Sequence, residues 1–197
     1  MFRPLFSALA RLSLRAFGWR VEGVLPVTNK FVLIAVPHTS NWDLLLMLLV
    51  ATVFGLRLSW VGKESLFRPT VGWLLRLLGG IPIIRHGARN QVEQLADQFR
   101  ARERLVLAVP PEGTRGRAPH WRSGFYFIAK AARVPIALGF LDYGRRIGGV
   151  GPAVTPTDDV RADMELIRSF YAGMTGRHPR NQGPVRLEIE DDPARRT

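Results

Sequence analysis

Apolar and polar positions along this chain fall into short strand-like runs separated by longer stretches of helical period. Residues 31–36 (FVLIAV), 81–84 (IPII), 105–109 (LVLAV) and 135–141 (PIALGFL) are brief and apolar, which predicts buried strands, and residues 58–62 fit a further one. Helices are expected from about Trp42, from near Pro69 to a stop at Gly79-Gly80, over 89–104 with Val92, Leu95 and Phe99 on one face, over 125–132, and over 159–171. Residues 185–189 alternate as an edge strand would. Strands alternating with helices predict one α/β domain over residues 21–197, a sheet covered by helices. Working loops in such folds leave the strand ends, where His38, Arg85 and Glu112 all fall.

Residues 1–20 (MFRPLFSALARLSLRAFGWR) follow another pattern. On a helix Phe2, Leu5, Phe6, Leu9, Leu12 and Ala16 share one face, Arg3, Ser7, Arg11 and Arg15 recur on the other, and Leu14 is the exception. Arginines interrupt the stretch throughout, so it lacks the unbroken apolar core of a signal peptide. A basic amphipathic helix bearing phenylalanines suits an anionic bilayer interface; packing onto the domain with its arginines in water is the other reading. Residues 44–56 (LLLMLLVATVFGL) carry no charge, but thirteen residues are too few to span a bilayer and are expected to form a buried helix exposed near its end. The two elements together predict a peripheral membrane protein without a transmembrane span.

Charge adds a preference for anions. The 197 residues hold 28 Lys+Arg against 16 Asp+Glu, a net +12, and only Lys30, Lys63 and Lys130 are lysines. Such a surface suits nucleic acid, anionic lipid or a phosphorylated substrate, and charge alone does not choose among them. No nucleic-acid module or interleaving of basic patches with exposed aromatics is evident, so no nucleic-acid partner is expected. The absence of cysteine excludes disulfides, thiolate metal sites and a cysteine nucleophile. His38, His86, His120 and His178 are scattered without metal-ligand spacing, so no metal site is expected.

Two clusters carry the candidate chemistry. In Pro37-His38-Thr39-Ser40-Asn41-Trp42-Asp43 a histidine precedes an aspartate by five positions at a strand-to-helix turn. Asp43 there can fix the imidazole of His38 for taking a proton from a hydroxyl, or it can serve only the helix start that Ser40 or Asn41 would cap. Pro111-Glu112-Gly113-Thr114-Arg115 follows a buried strand. Gly113 permits a tight turn while Thr114 and Arg115 offer donors to a phosphate; an ordinary turn with a Glu112–Arg115 surface pair is the plainer alternative. Arg85 and Lys63, each just past a strand, are further phosphate ligands or simply solvated charges.

In combination these residues resemble the glycerophospholipid acyltransferase family of the lysophosphatidate type. Its His-x4-Asp block is met by His38 and Asp43, and its glycine-to-arginine strand block by Gly80-Ile81-Pro82-Ile83-Ile84-Arg85. Its Phe-Pro-Glu-Gly-Thr-Arg-Ser block is met by Pro110 through Gly116, and its Val-Pro-Ile block by Val134-Pro135-Ile136. Lys63-Glu64 with Leu66-Phe67 and Trp121-Arg122-Ser123-Gly124 resemble intervening segments. The likeness runs over residues 31–141; Pro110 in place of phenylalanine and Gly116 in place of serine depart from it and bear on the acceptor.

The resemblance implies a mixed central sheet and transfer of a fatty acyl group from acyl-CoA or acyl carrier protein to the free hydroxyl of a lysophosphatidate-type glycerolipid. His38 would be the general base oriented by Asp43, with Arg85, Glu112, Gly113, Thr114, Arg115 and Lys63 around the acceptor phosphate. No cofactor is implied beyond the thioester co-substrate, and the expected place is the cytoplasmic face of a bacterial cell membrane. The alternatives are an acyltransferase of the same fold with an aminolipid or glycolipid acceptor, and a non-catalytic basic protein that binds lipid or nucleic acid.

Overall fold

A computed structural model describes residues 3–84 and 88–191, so Phe2 and Arg85 lie outside the described residues. The chain opens with α1 (Arg3–Ala16), β1 (Arg20–Gly23), β2 (Lys30–Val36), α2 (Trp42–Val53), β3 (Leu58–Lys63), α3 (Gly72–Leu77) and β4 (Gly80–Ile83). It continues through α4 (Ala88–Ala101), β5 (Leu105–Val109), α5 (Gly124–Ala132), β6 (Ile136–Asp142), β7 (Ile147–Val154) and α6 (Val160–Tyr171). Seven strands form one mixed sheet in the order β1-β7-β6-β2-β5-β3-β4. Among the described residues only the β6–β7 pairing is antiparallel.

β2 lies at the centre, and its alternation divides the core. Val32, Ile34 and Val36 join Leu95 and Phe99 of α4, Phe125 and Ile128 of α5, and Met164 and Ile167 of α6. Phe31 and Leu33 face the other way with Val106, Ala137 and Val150. The β2–α2–β3 and β3–α3–β4 crossovers advance in one direction, and right-handed crossovers of that kind put α2 and α3 on the same side of the sheet. The return crossovers through α4 and α5 cover the opposite side.

The predicted strands and helices all appear with small shifts, except at four places. The helix expected near Pro69 begins only at Gly72. β1 and β7 were not foreseen, because RVEG is mostly exposed and the glycines and proline of IGGVGPAV dilute its apolar pattern. Residues 185–189 are not a strand: Leu187 makes one bridge to Trp121, then donates its N–H to the Glu190 carboxylate as the chain enters a 3-10 turn over Glu188–Asp191. α2 is not buried all round, since Leu46, Val50 and Val53 face the core while Leu44, Leu45 and Leu48 are exposed.

The first helix packs through residues outside its predicted apolar face. Leu14, which broke the sequence pattern, is its anchor: with Ala10 it packs against Leu46, Val50 and Val53 of α2, while the Ser7 hydroxyl donates to the Val53 carbonyl at 3.0 Å. Leu5, Phe6, Leu9 and Leu12 are left exposed. The apolar face predicted from periodicity thus points to the outside.

Candidate active site

The apolar run of β2 delivers its last residue to the carboxyl edge of the sheet, a cis Val36–Pro37 bond follows, and His38 starts the loop into α2. Asp43 sits in the first turn of that helix and is buried. One of its oxygens, Oδ2, accepts the backbone N–H groups of Thr39 and Ser40 at 2.7 and 2.8 Å. The loop therefore folds back around the carboxylate, and five positions of sequence become a contact: His38 Nδ1 lies 3.4 Å from Asp43 Oδ2. That is longer than a formed hydrogen bond, a spacing common in catalytic pairs at rest that tighten with substrate bound. Nδ1 is buried beside the carboxylate, with no hydrogen-bond partner among the described residues. Ser40 assists the helix start by accepting the Trp42 N–H at 3.2 Å; the Asn41 side chain makes no cap bond.

Burial pushes the Asp43 carboxyl up, but the nearby His38 imidazole and the hydrogen bonds from Tyr143, Ser40 and Thr39 outweigh this and hold it below the ordinary aspartate value. It is an anion at neutral pH, as needed to stabilise an imidazolium on His38.

Glu112 reaches the same loop from the neighbouring strand. β5 pairs beside β2, and beyond Pro110-Pro111 the Glu112 Oε2 accepts the His38 backbone N–H at 2.7 Å. Glu112 is buried, and its Oε1 has no hydrogen-bond partner among the described residues. Burial is the main cause that pushes its pKa up to about 7, with the nearby Asp43 charge adding to it and His38 opposing. Gly113 adopts φ +67°, a left-handed conformation that favours glycine, and a Cβ there would have to displace the Arg122 side chain. The Thr114 hydroxyl oxygen accepts the Gly116 N–H at 3.2 Å, which shapes the turn and leaves its proton free to donate.

His38, Asp43 and Glu112 are thus brought into contact. Arg115 is exposed on the same turn, and Lys63 is exposed at the carboxyl end of β3; neither has an ion-pair partner among the described residues. Both belong to the flank of His38 formed by β5, β3 and β4. The sequence reading missed Tyr143, whose hydroxyl donates to Asp43 Oδ1 at 2.7 Å from the end of β6 on the opposite flank. Its position one residue past an apolar strand was the available signal.

Behind the dyad a narrow apolar crevice of about 20 Å³ runs between α2 and the sheet. His38 and Asp43 stand on its wall, Met47, Val50 and Ala51 of α2 form one side, Leu33, Gly139 and Val150 the other, and Leu56 also lines it.

A histidine–aspartate pair thus stands beside an apolar crevice at the carboxyl edge of a mixed α/β sheet. The acyltransferase family model matches residues 19–137, and the chain belongs to that family of enzymes. Its fold is similar to the crystal structure of the 1-acyl-sn-glycerophosphate (LPA) acyltransferase, PlsC, from Thermotoga maritima, with a TM-score of 0.50 and 19% identity over 88% of this chain and 81% of that one. No curated protein matches the chain.

Proposed function

We propose that the protein transfers a fatty acyl group from a thioester, acyl-CoA or acyl carrier protein, to the free hydroxyl of a lysophosphatidate-type glycerolipid. The observation that carries this reading is the His38–Asp43 pair beside an apolar crevice between α2 and the sheet. His38 Nε2 takes the hydroxyl proton as the oxygen attacks the thioester carbonyl. Asp43 stabilises the imidazolium, and collapse of the tetrahedral intermediate expels the thiolate, which takes that proton. No acyl-enzyme is formed. Arg115 and Lys63, with Arg85, supply cations for the acceptor phosphate, and Glu112 with Gly113 shapes the turn that carries Arg115.

Such substrates dissolve in a bilayer, and the outer surface suits work there. Exposed apolar residues continue from Leu5, Phe6, Leu9 and Leu12 of α1 to Leu44, Leu45 and Leu48 of α2, and recur as Trp73, Leu74 and Leu77 of α3. Among the described residues no helix is long and apolar enough to cross a membrane. A peripheral enzyme on the cytoplasmic, anionic face of a cell membrane fits both facts.

Supplying purified protein with acyl-CoA and lysophosphatidate and following thiol release with and without acceptor tests the reading. Acceptor-dependent release should vanish in His38→Ala while the circular dichroism spectrum is retained. Wild-type turnover in that variant would reject His38 as the base.

A further inference from the structure

We propose that Tyr143 is a positioning residue for acyl transfer: its hydroxyl holds the Asp43 carboxylate in the orientation that serves His38. The inference rests on the reading of His38 as the base. The two oxygens of Asp43 have separate duties. Oδ2 receives the Thr39 and Ser40 amides and faces His38 Nδ1, whereas Oδ1 receives the Tyr143 hydroxyl at 2.7 Å. The terminal torsion of an aspartate is broad, so donors on one oxygen alone leave the carboxylate plane free to swing. The phenol fixes the second oxygen and with it the plane.

Tyr143 is itself held in place. Its backbone N–H donates to the Thr175 carbonyl at 2.8 Å, and its ring meets the Trp19 ring edge-on, at 4.9 Å between centroids and 90° between planes. Burial first, and then the Asp43 carboxylate, push the phenol pKa up, against the opposing effect of Arg177, so the hydroxyl stays a donor. Trp19 belongs to the same cluster as Ala10 and Leu14 of α1. The N-terminal helix therefore helps to seat the side chain that orients the aspartate.

Tyr143→Phe keeps the ring against Trp19 and removes only the donor. In the thiol-release assay with acyl-CoA and lysophosphatidate, kcat should fall about tenfold, the worth of one hydrogen bond to a charged group, with both KM values within about twofold of wild type. A role exerted through Asp43 also predicts non-additivity: in an Asp43→Asn background the same change should cost less than about twofold. A wild-type kcat in Tyr143→Phe, an effect confined to KM, or a full tenfold loss in the Asp43→Asn background would each overturn the positioning role. Thermal melting of every variant within a few degrees of wild type supports the assignment, because the loss then lies in the chemistry. A wild-type protein that releases no thiol would instead overturn the acyl-transfer reading, and this inference with it.

Discussion

Replacing Glu112 by glutamine should change how stability depends on pH. In the fold one oxygen of Glu112 accepts the His38 N–H and the other is buried with no hydrogen-bond partner among the described residues, and burial pushes the pKa from 4.5 up to about 7. Between those values the folded chain keeps a proton that the unfolded chain has released. The associated stability is therefore fully present below about pH 4.5 and is lost as pH rises to about 7. At 1.36 kcal/mol per pKa unit, the shift amounts to a loss of about 3 kcal/mol across the window. Glutamine keeps an acceptor for the His38 N–H and cannot titrate. Asp43, held below its ordinary value, titrates under this window and does not confound it. Urea unfolding of both proteins at several pH values from 4.5 to 7.5 measures the effect. The stability difference should move by about 3 kcal/mol in favour of the glutamine variant as pH rises, a relative midpoint shift on the order of 1 M urea. A difference constant to within about 0.5 kcal/mol would refute the argument that Glu112 is buried as a neutral acid.

Two further perturbations separate binding from packing. Arg115→Ala should raise the acceptor KM by roughly 10- to 100-fold with little change in the donor KM, as expected for loss of a charge-assisted phosphate contact; steady-state kinetics with lysophosphatidate varied checks it. On α1, Leu14→Ala should cost about 2–4 kcal/mol in thermal or urea unfolding, because Leu14 is buried against α2, whereas Leu9→Asp on the exposed face should leave stability near wild type and weaken sedimentation with anionic vesicles.

The fold class was legible in the sequence as short apolar strands alternating with helices, and the candidate site residues were legible as positions at strand ends. His38, Asp43 and Glu112 could be singled out because each follows or adjoins a short apolar strand, and the parallel pairing of β2 with β5 then brings their loops together. Spacing alone could not show how His38 and Asp43 meet, since that depends on the Thr39 and Ser40 amides wrapping the carboxylate. Tyr143 was marked only by its place just past an apolar strand: its partner is 100 residues away, and the neighbouring places of β6 and β2 in the sheet join them. Periodicity identified the amphipathic character of α1 but not which side packs. The small residues Ala10 and Ser7 beside Leu14 allow close approach to α2, a contact that outweighs the larger apolar face left outside.

The short β1 strand has a consequence for how the chain can be dissected. It covers the outer hydrogen-bonding edge of β7 from Ile147 to Val150, in a fit so close that a Cβ on Gly149 would lie 1.8 Å from the Glu22 carbonyl. Clipping the chain just beyond Gly23 would strip that cover and leave a row of unsatisfied amides and carbonyls open to pairing with another copy. A shortened protein of this kind should self-associate, so its inactivity would say nothing about contact with a bilayer.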